Sequence, residues 1–99
     1  MATFYRTENG IGFLILAYET LAKQPQYKAD FCDNCGEMLV GAGNIILIPA
    51  KARAYCHSCG KAMLPTIKET PLDTVIRTKT EKIMKEIFNI ESEESYNVK

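Results

Sequence analysis

At 99 residues, with twelve basic and twelve acidic side chains, the chain has room for one small domain and no net charge to draw it to nucleic acid or anionic membrane. Charged residues at 24% and apolar residues at 46% are the proportions of an ordinary globular protein and exclude wholesale disorder.

Residues 1–27 form the first segment. Ile11, Leu14, Ile15, Tyr18, Leu21 and Ala22 recur at the spacing of one helical face, with Glu19, Thr20 and Lys23 off it, which predicts a helix over about 12–24 ended by Pro25. A competing reading uses Asn9-Gly10, a hairpin-turn dipeptide, with TFYRTE before it and IGFLILAY after it as two short strands. The apolar run Ile11 to Tyr18 is less than half of the roughly 20 residues needed to cross a bilayer. It is preceded by Glu8 and followed by no small-residue cleavage site, so neither a membrane anchor nor a signal peptide is expected. The expected location is the cytoplasm.

Residues 28–66 form the second segment. EMLV and NIILI, separated by Gly41-Ala42-Gly43-Asn44, predict two strands and a turn; Pro49 ends the second, and ARAY is a third short strand. Around them lie CDNCG and CHSCG. Cys32 and Cys35 are separated by two residues, as are Cys56 and Cys59, with twenty residues between the pairs. Tetrahedral zinc takes four thiolates, and each CxxC turn can aim two sulfurs to one side. Gly36 and Gly60 follow the second cysteine of each pair, where a left-handed backbone would turn amide hydrogens toward sulfur. His57, between two ligands of one turn, is expected to point to solvent. Asp30 and Asp33 are expected in the turn around the first pair, not as a catalytic couple.

Residues 70–90 form the third segment. Thr70-Pro71-Leu72-Asp73 carries a hydroxyl N-cap, proline at the first helical position and an acid three beyond the cap, predicting a helix from Pro71 to about Phe88. Ile76, Ile83, Ile87 and Ile90 form a stripe headed by Leu72 and widened by Met84 and Phe88. Asp73, Arg77, Glu81 and Lys85 step down another face with alternating sign and are expected to be solvated. Residues 91–99, acidic and without periodicity, are expected to be a flexible tail.

With CDNCG and CHSCG as its two knuckles, the segment 28–66 resembles the zinc-ribbon proteins. The resemblance implies one structural Zn2+ held by Cys32, Cys35, Cys56 and Cys59, and binding rather than catalysis. The expected fold is α+β: a small zinc-ribbon-like β module, unfolded without its metal, flanked by an N-terminal helix and a C-terminal amphipathic helix in one compact domain.

Catalysis lacks parts, with one histidine and no phosphate-cradling glycine loop. A thiol oxidoreductase would need a CxxC at a helix N-terminus after a strand, a context neither pair is expected to have. A rubredoxin-like iron site uses similar knuckles, but the aromatic-rich core expected there is missing and Trp is absent. The main expectation is a small regulator or adaptor, of the kind encoded by phages or mobile elements, that binds a protein of transcription or another host machinery. Its partner-helix face would be Ile76, Ile83, Ile87 and Ile90, through which a homodimer is also conceivable. The alternative is a nucleic-acid-binding ribbon using Lys51, Arg53, Lys61 and Lys68 around the second knuckle.

Overall fold

The structure, a computed structural model, describes residues 2–24, 29–51 and 53–96. The predicted stop at Pro25, the segment boundary at 27/28, Ala52 of ARAY and residues 97–99 lie outside them. The class is α+β. Strands β1 (Thr3–Thr7), β2 (Gly12–Ala17), β3 (Asn44–Ile48), β4 (Arg53–Cys56) and β5 (Glu93–Tyr96) form one sheet in the order β4-β3-β2-β1-β5. Neighbours are antiparallel except β1 and β5, which run parallel. Helices α1 (Tyr18–Ala22), α2 (His57–Met63) and α3 (Pro71–Ile87) complete the fold. The sheet draws on the first two segments and on residues 93–96 of the expected tail, so the β structure is not confined to the ribbon segment.

The N-terminal helix predicted over 12–24 is mostly strand; only Tyr18–Ala22 is helical. Asn9-Gly10 makes the hairpin turn instead, with Gly10 at φ 88° and Gly10 N–H donating to the Thr7 carbonyl at 3.0 Å. The reason is position. β2 lies between β1 and β3, and Phe13, Leu14 and Leu16 are all fully buried. A strand covered on both sides is apolar throughout, and such a run also satisfies the helical spacing.

Two further expectations change. EMLV makes a single bridge, Phe31 to Met38, and no strand. The predicted tail contains β5, which Glu93 fastens: its carboxylate accepts from Arg6 on β1 at 2.8 Å and from Lys85 on α3 at 2.6 Å. Aromatic contacts hold the strand's other end, with the Tyr96 ring edge-on to Phe13 at 5.0 Å and to Tyr5 at 5.8 Å. Composition alone makes Glu93–Tyr96 look solvated because the charges that neutralise Glu93 come from elsewhere in the chain.

Side chains of paired residues share a sheet face. Ile15, Ile46 and Tyr55 line one face, where α2 packs so closely that a Cβ on Gly60 would strike Ile46. Phe4, Arg6, Leu14 and Leu47 line the other, which α3 crosses. Helix α3 starts as predicted. Thr70 Oγ1 accepts from Asp73 N–H at 3.2 Å, and the Asp73 carboxylate accepts from Thr70 N–H at 2.9 Å.

The orientation of α3 reverses the expectation. The ladder read as solvated turns inward: Asp73 pairs with Lys51 at 2.5 Å, Arg77 with Glu69 at 2.7 Å and Glu81 with Arg6 at 2.6 Å. Glu81 and Met84 are 5% and 3% exposed, whereas Leu72, Val75, Ile76 and Ile83 are 67%, 56%, 39% and 47% exposed. Helical spacing shows which residues share a face but not which face turns in. Here oppositely charged partners on β1, β5 and the Pro49–Lys51 turn, together with Met84, hold the polar side against the sheet.

Arg6→Ala should destabilise the protein by about 2–3 kcal/mol in urea unfolding, because it leaves the buried Glu81 carboxylate with only Arg77, 3.9 Å away and already paired with Glu69. Arg6 first and Lys85 second hold the Glu93 carboxyl down at about 2, below its ordinary 4.5, and Lys51 with the Thr70 amide holds Asp73 at about 2. Both are depressed, so their contribution is complete above the ordinary carboxylate range and falls away as pH drops from about 4.5 to about 2. Stability measured across that window should fall less steeply in Arg6→Ala, where Glu93 retains only Lys85.

Candidate metal centre

The first knuckle is a loop closed on itself. Cys32 N–H donates to the Glu37 carbonyl at 2.8 Å and Gly36 N–H to the Cys32 carbonyl at 3.0 Å, with Gly36 in the left-handed region at φ 76°. The second knuckle is built differently. Cys56 ends β4 and is the N-cap of α2, so Cys59 lies in the helix's first turn. Gly60 is therefore helical, and the left-handed turn expected there does not form. It is glycine because α2 sits against Ile46.

Asp33 joins the knuckles. Its N–H donates to the Ala54 carbonyl at 2.9 Å, and its carboxylate accepts from Ala54 N–H at 2.7 Å. This two-point tie sets the first loop alongside β4, two residues before Cys56. Sequence reading placed Asp33 in the turn but missed this tie, since its partner is a backbone group far along the chain.

The four Sγ atoms of Cys32, Cys35, Cys56 and Cys59 lie within 4.8 Å of one another, and all four thiols are free. Sulfurs at about 2.3 Å from a tetrahedral metal stand about 3.8 Å apart, so the cluster fits one such ion. Asn34 adds two donors: its N–H to the Cys32 sulfur and its side-chain amide to the Cys59 sulfur, both at 3.4 Å. Burial alone would raise the Cys32 thiol, but amide hydrogens from Cys35, Cys56 and Asn34 outweigh it and bring it down to about 6. Cys35 moves the other way, to about 12: the Glu37 amide favours its thiolate, but desolvation and the neighbouring sulfurs prevail. Cys56 is raised despite the Cys59 amide, by desolvation and by Cys59 and Cys32. Four sulfurs this close resist ionising together unless a cation stands among them.

The second knuckle does have the strand-to-helix setting that neither pair was expected to have. It is not an isolated dithiol, however. β3 and β4 are antiparallel, with no βαβ unit, and the Cys56 thiol is raised where a nucleophile needs it lowered. His57 is exposed and Asp30 accepts from the Tyr18 hydroxyl at 3.0 Å, so neither belongs to the sulfur cluster.

The predicted basic residues divide. Lys51, Arg53 and Lys68 line an open groove of about 590 Å³ beside the first knuckle, with Asp33, Asn34 and Tyr55, while Lys61 on α2 is not in its lining. Ile76 and Ile83 on α3 are exposed, whereas Ile87 at its end and Ile90, three residues beyond it, are half-buried and Ile90 packs on the core. Val75 joins the exposed stripe, unnoticed in the sequence because it is one position off the isoleucine spacing. No helix among the described residues is long and apolar enough to cross a membrane.

Comparison with protein-family models, curated proteins and solved structures finds no match.

Replacing any one of the four cysteines by serine should reduce bound metal from about one equivalent to well under half in reduced protein, as read by elemental analysis. Because binding must expel protons from the raised Cys35 and Cys56 thiols, affinity should fall steadily as pH is lowered from 8 to about 6 in a competition with a chromogenic chelator.

Proposed function

We propose that this chain is a non-enzymatic binding protein stapled by one structural zinc and that it acts as a small regulator or adaptor through a protein partner docked on α3. Zinc is the ion a closed set of four thiolates suits best, and with all four positions taken by cysteine none is left for a substrate. The metal's part is then to fix shape. Its site joins the first loop to the strand that leads into α2, in the manner of the zinc ribbons that the two CxxCG knuckles resemble.

One observation carries the proposal: α3 spends its charged face on internal ion pairs and presents Leu72, Val75, Ile76 and Ile83 to water. Apolar side chains in a row on an exposed helix are the pattern by which helices dock into grooves or onto other helices. A component of transcription or another host machinery in the cytoplasm remains the reading for the partner, as for a phage-encoded regulator.

A second reading has its own support. Lys51, Arg53 and Lys68 converge on one groove with Asn34 and Thr66, polar groups suited to phosphate contacts. Lys51 is already paired with Asp73 and the groove also holds Asp33, which leaves this nucleic-acid reading the weaker of the two.

Co-purification from the native host under nuclease treatment distinguishes them. A stoichiometric protein should co-purify with the wild type and be lost with Ile76→Asp or Ile83→Asp. It should be retained with Arg53→Ala plus Lys68→Ala. Loss only in the basic-residue variant, or of nucleic acid instead of protein, would favour the groove.

A further inference from the structure

The exposed stripe of α3 has a charge character that restricts what can cover it. From Leu72 to Ile83 it runs about 16 Å along the helix, three turns. Lys79 stands within it, between Ile76 and Ile83, and Lys82 flanks it beside Ile83; both are exposed. Among the described residues neither lysine has an ion pair, whereas all four charges of the inner ladder do. The acid nearest to them on the outward side, Glu86, stands one turn after Lys82 and faces that lysine, while Lys79, two turns back, has none within a turn.

A second copy fits this face poorly. An antiparallel α3 pair centred on Lys79 would set the two ammonium groups against each other, with like-charge repulsion. Sliding the pair to match Leu72 with the copy's Ile83 would instead place each Lys79 on Ile76. In neither register does the copy bring a carboxylate to the lysines; a further slide that sets Lys79 against the copy's Glu86 does, but it puts Leu72 and Ile76 beyond the end of the copy's helix and leaves them uncovered.

Building on the reading of α3 as a docking helix, we infer that its occupant is an amphipathic helix with an apolar seam and carboxylates beside it, placed to meet Lys79 and Lys82. Leu72, Val75, Ile76 and Ile83 supply the apolar contact. The two lysines set partner choice and orientation, as charged positions flanking helical seams do.

The test uses two synthetic peptides about five turns long, each with leucines on one helical face, one with glutamates beside them and the other with lysines. Fluorescence anisotropy with the metal-loaded full chain at low salt should show the glutamate peptide binding about tenfold or more tighter than its lysine twin, with the gap narrowing as salt rises. Lys79→Glu plus Lys82→Glu, both at exposed positions, should invert the order, while Ile83→Asp should weaken both peptides. Equal affinities, no binding of either peptide, or an unchanged order in the lysine double variant would overturn the inference. So would sedimentation of the wild type as a dimer that Ile83→Asp returns to monomer, since a second copy would then own the face. None of these outcomes decides whether a host protein docks on α3; that reading fails only if co-purification is indifferent to Ile76→Asp and Ile83→Asp.

Discussion

The Arg6 guanidinium fixes the roll of the long helix. It donates to Glu81 on α3 at 2.6 Å and to Glu93 on β5 at 2.8 Å, and its own charge is held firmly, above all by Glu93. Lys85, one turn after Glu81, completes the cluster and lies 4.5 Å over the Phe4 ring. These contacts leave α3 little freedom to rotate about its axis, because any rotation would strip Glu81 of its partner inside the protein. The exposed apolar stripe follows. It is outward because the four charges of the opposite face, Asp73, Arg77, Glu81 and Lys85, are engaged within, and this is why α3, rather than the sheet or the knuckles, carries the functional proposal.

The four-cysteine cluster and the helix lie on different parts of the same sheet. β4 ends in Cys56, while β1 at the other side supplies Arg6, with β3 and β2 between them. A four-thiolate zinc site contributes on the order of 10 kcal/mol in small domains. From sequence this suggested a ribbon wholly dependent on its ion. Within the structure the sheet also supports part of that segment. β3 is buried between β2 and β4, with Ile45, Ile46 and Ile48 fully enclosed. By contrast, the first knuckle loop exposes Phe31 and Met38 and is tied down by Asp33, Asn34 and the sulfurs. Loss of an ion bound by the four cysteines would therefore fall first on that loop and on the start of α2.

How far the sequence could be read depended on whether the deciding contact was local. The four cysteines and the capping box of Thr70 and Asp73 are short-range motifs whose chemistry dictates spacing, and the structure brings both sets of groups together as expected. The NIILI strand was legible as a β-branched run bounded by turn residues. The N-terminal hairpin was visible in Asn9-Gly10 yet outweighed by a run of apolar residues, since burial on both faces erases the alternation that distinguishes strand from helix. Three features were beyond local reading: the roll of α3, the strand Glu93–Tyr96, and Asp33's hold on Ala54. Each depends on at least one partner 21 to 87 positions away in the chain. Alternating charge on a helix has the same sequence signature whether its partners are water or the rest of the protein.

The most direct test of the account is solvent accessibility along α3. Methyl resonances broadened by a soluble paramagnetic agent should include those of Leu72, Val75, Ile76 and Ile83, while the Met84 methyl remains protected. Protection of Ile76 and Ile83 in the monomer, with Met84 broadened, would mean the helix lies the other way round and would contradict the account at its base.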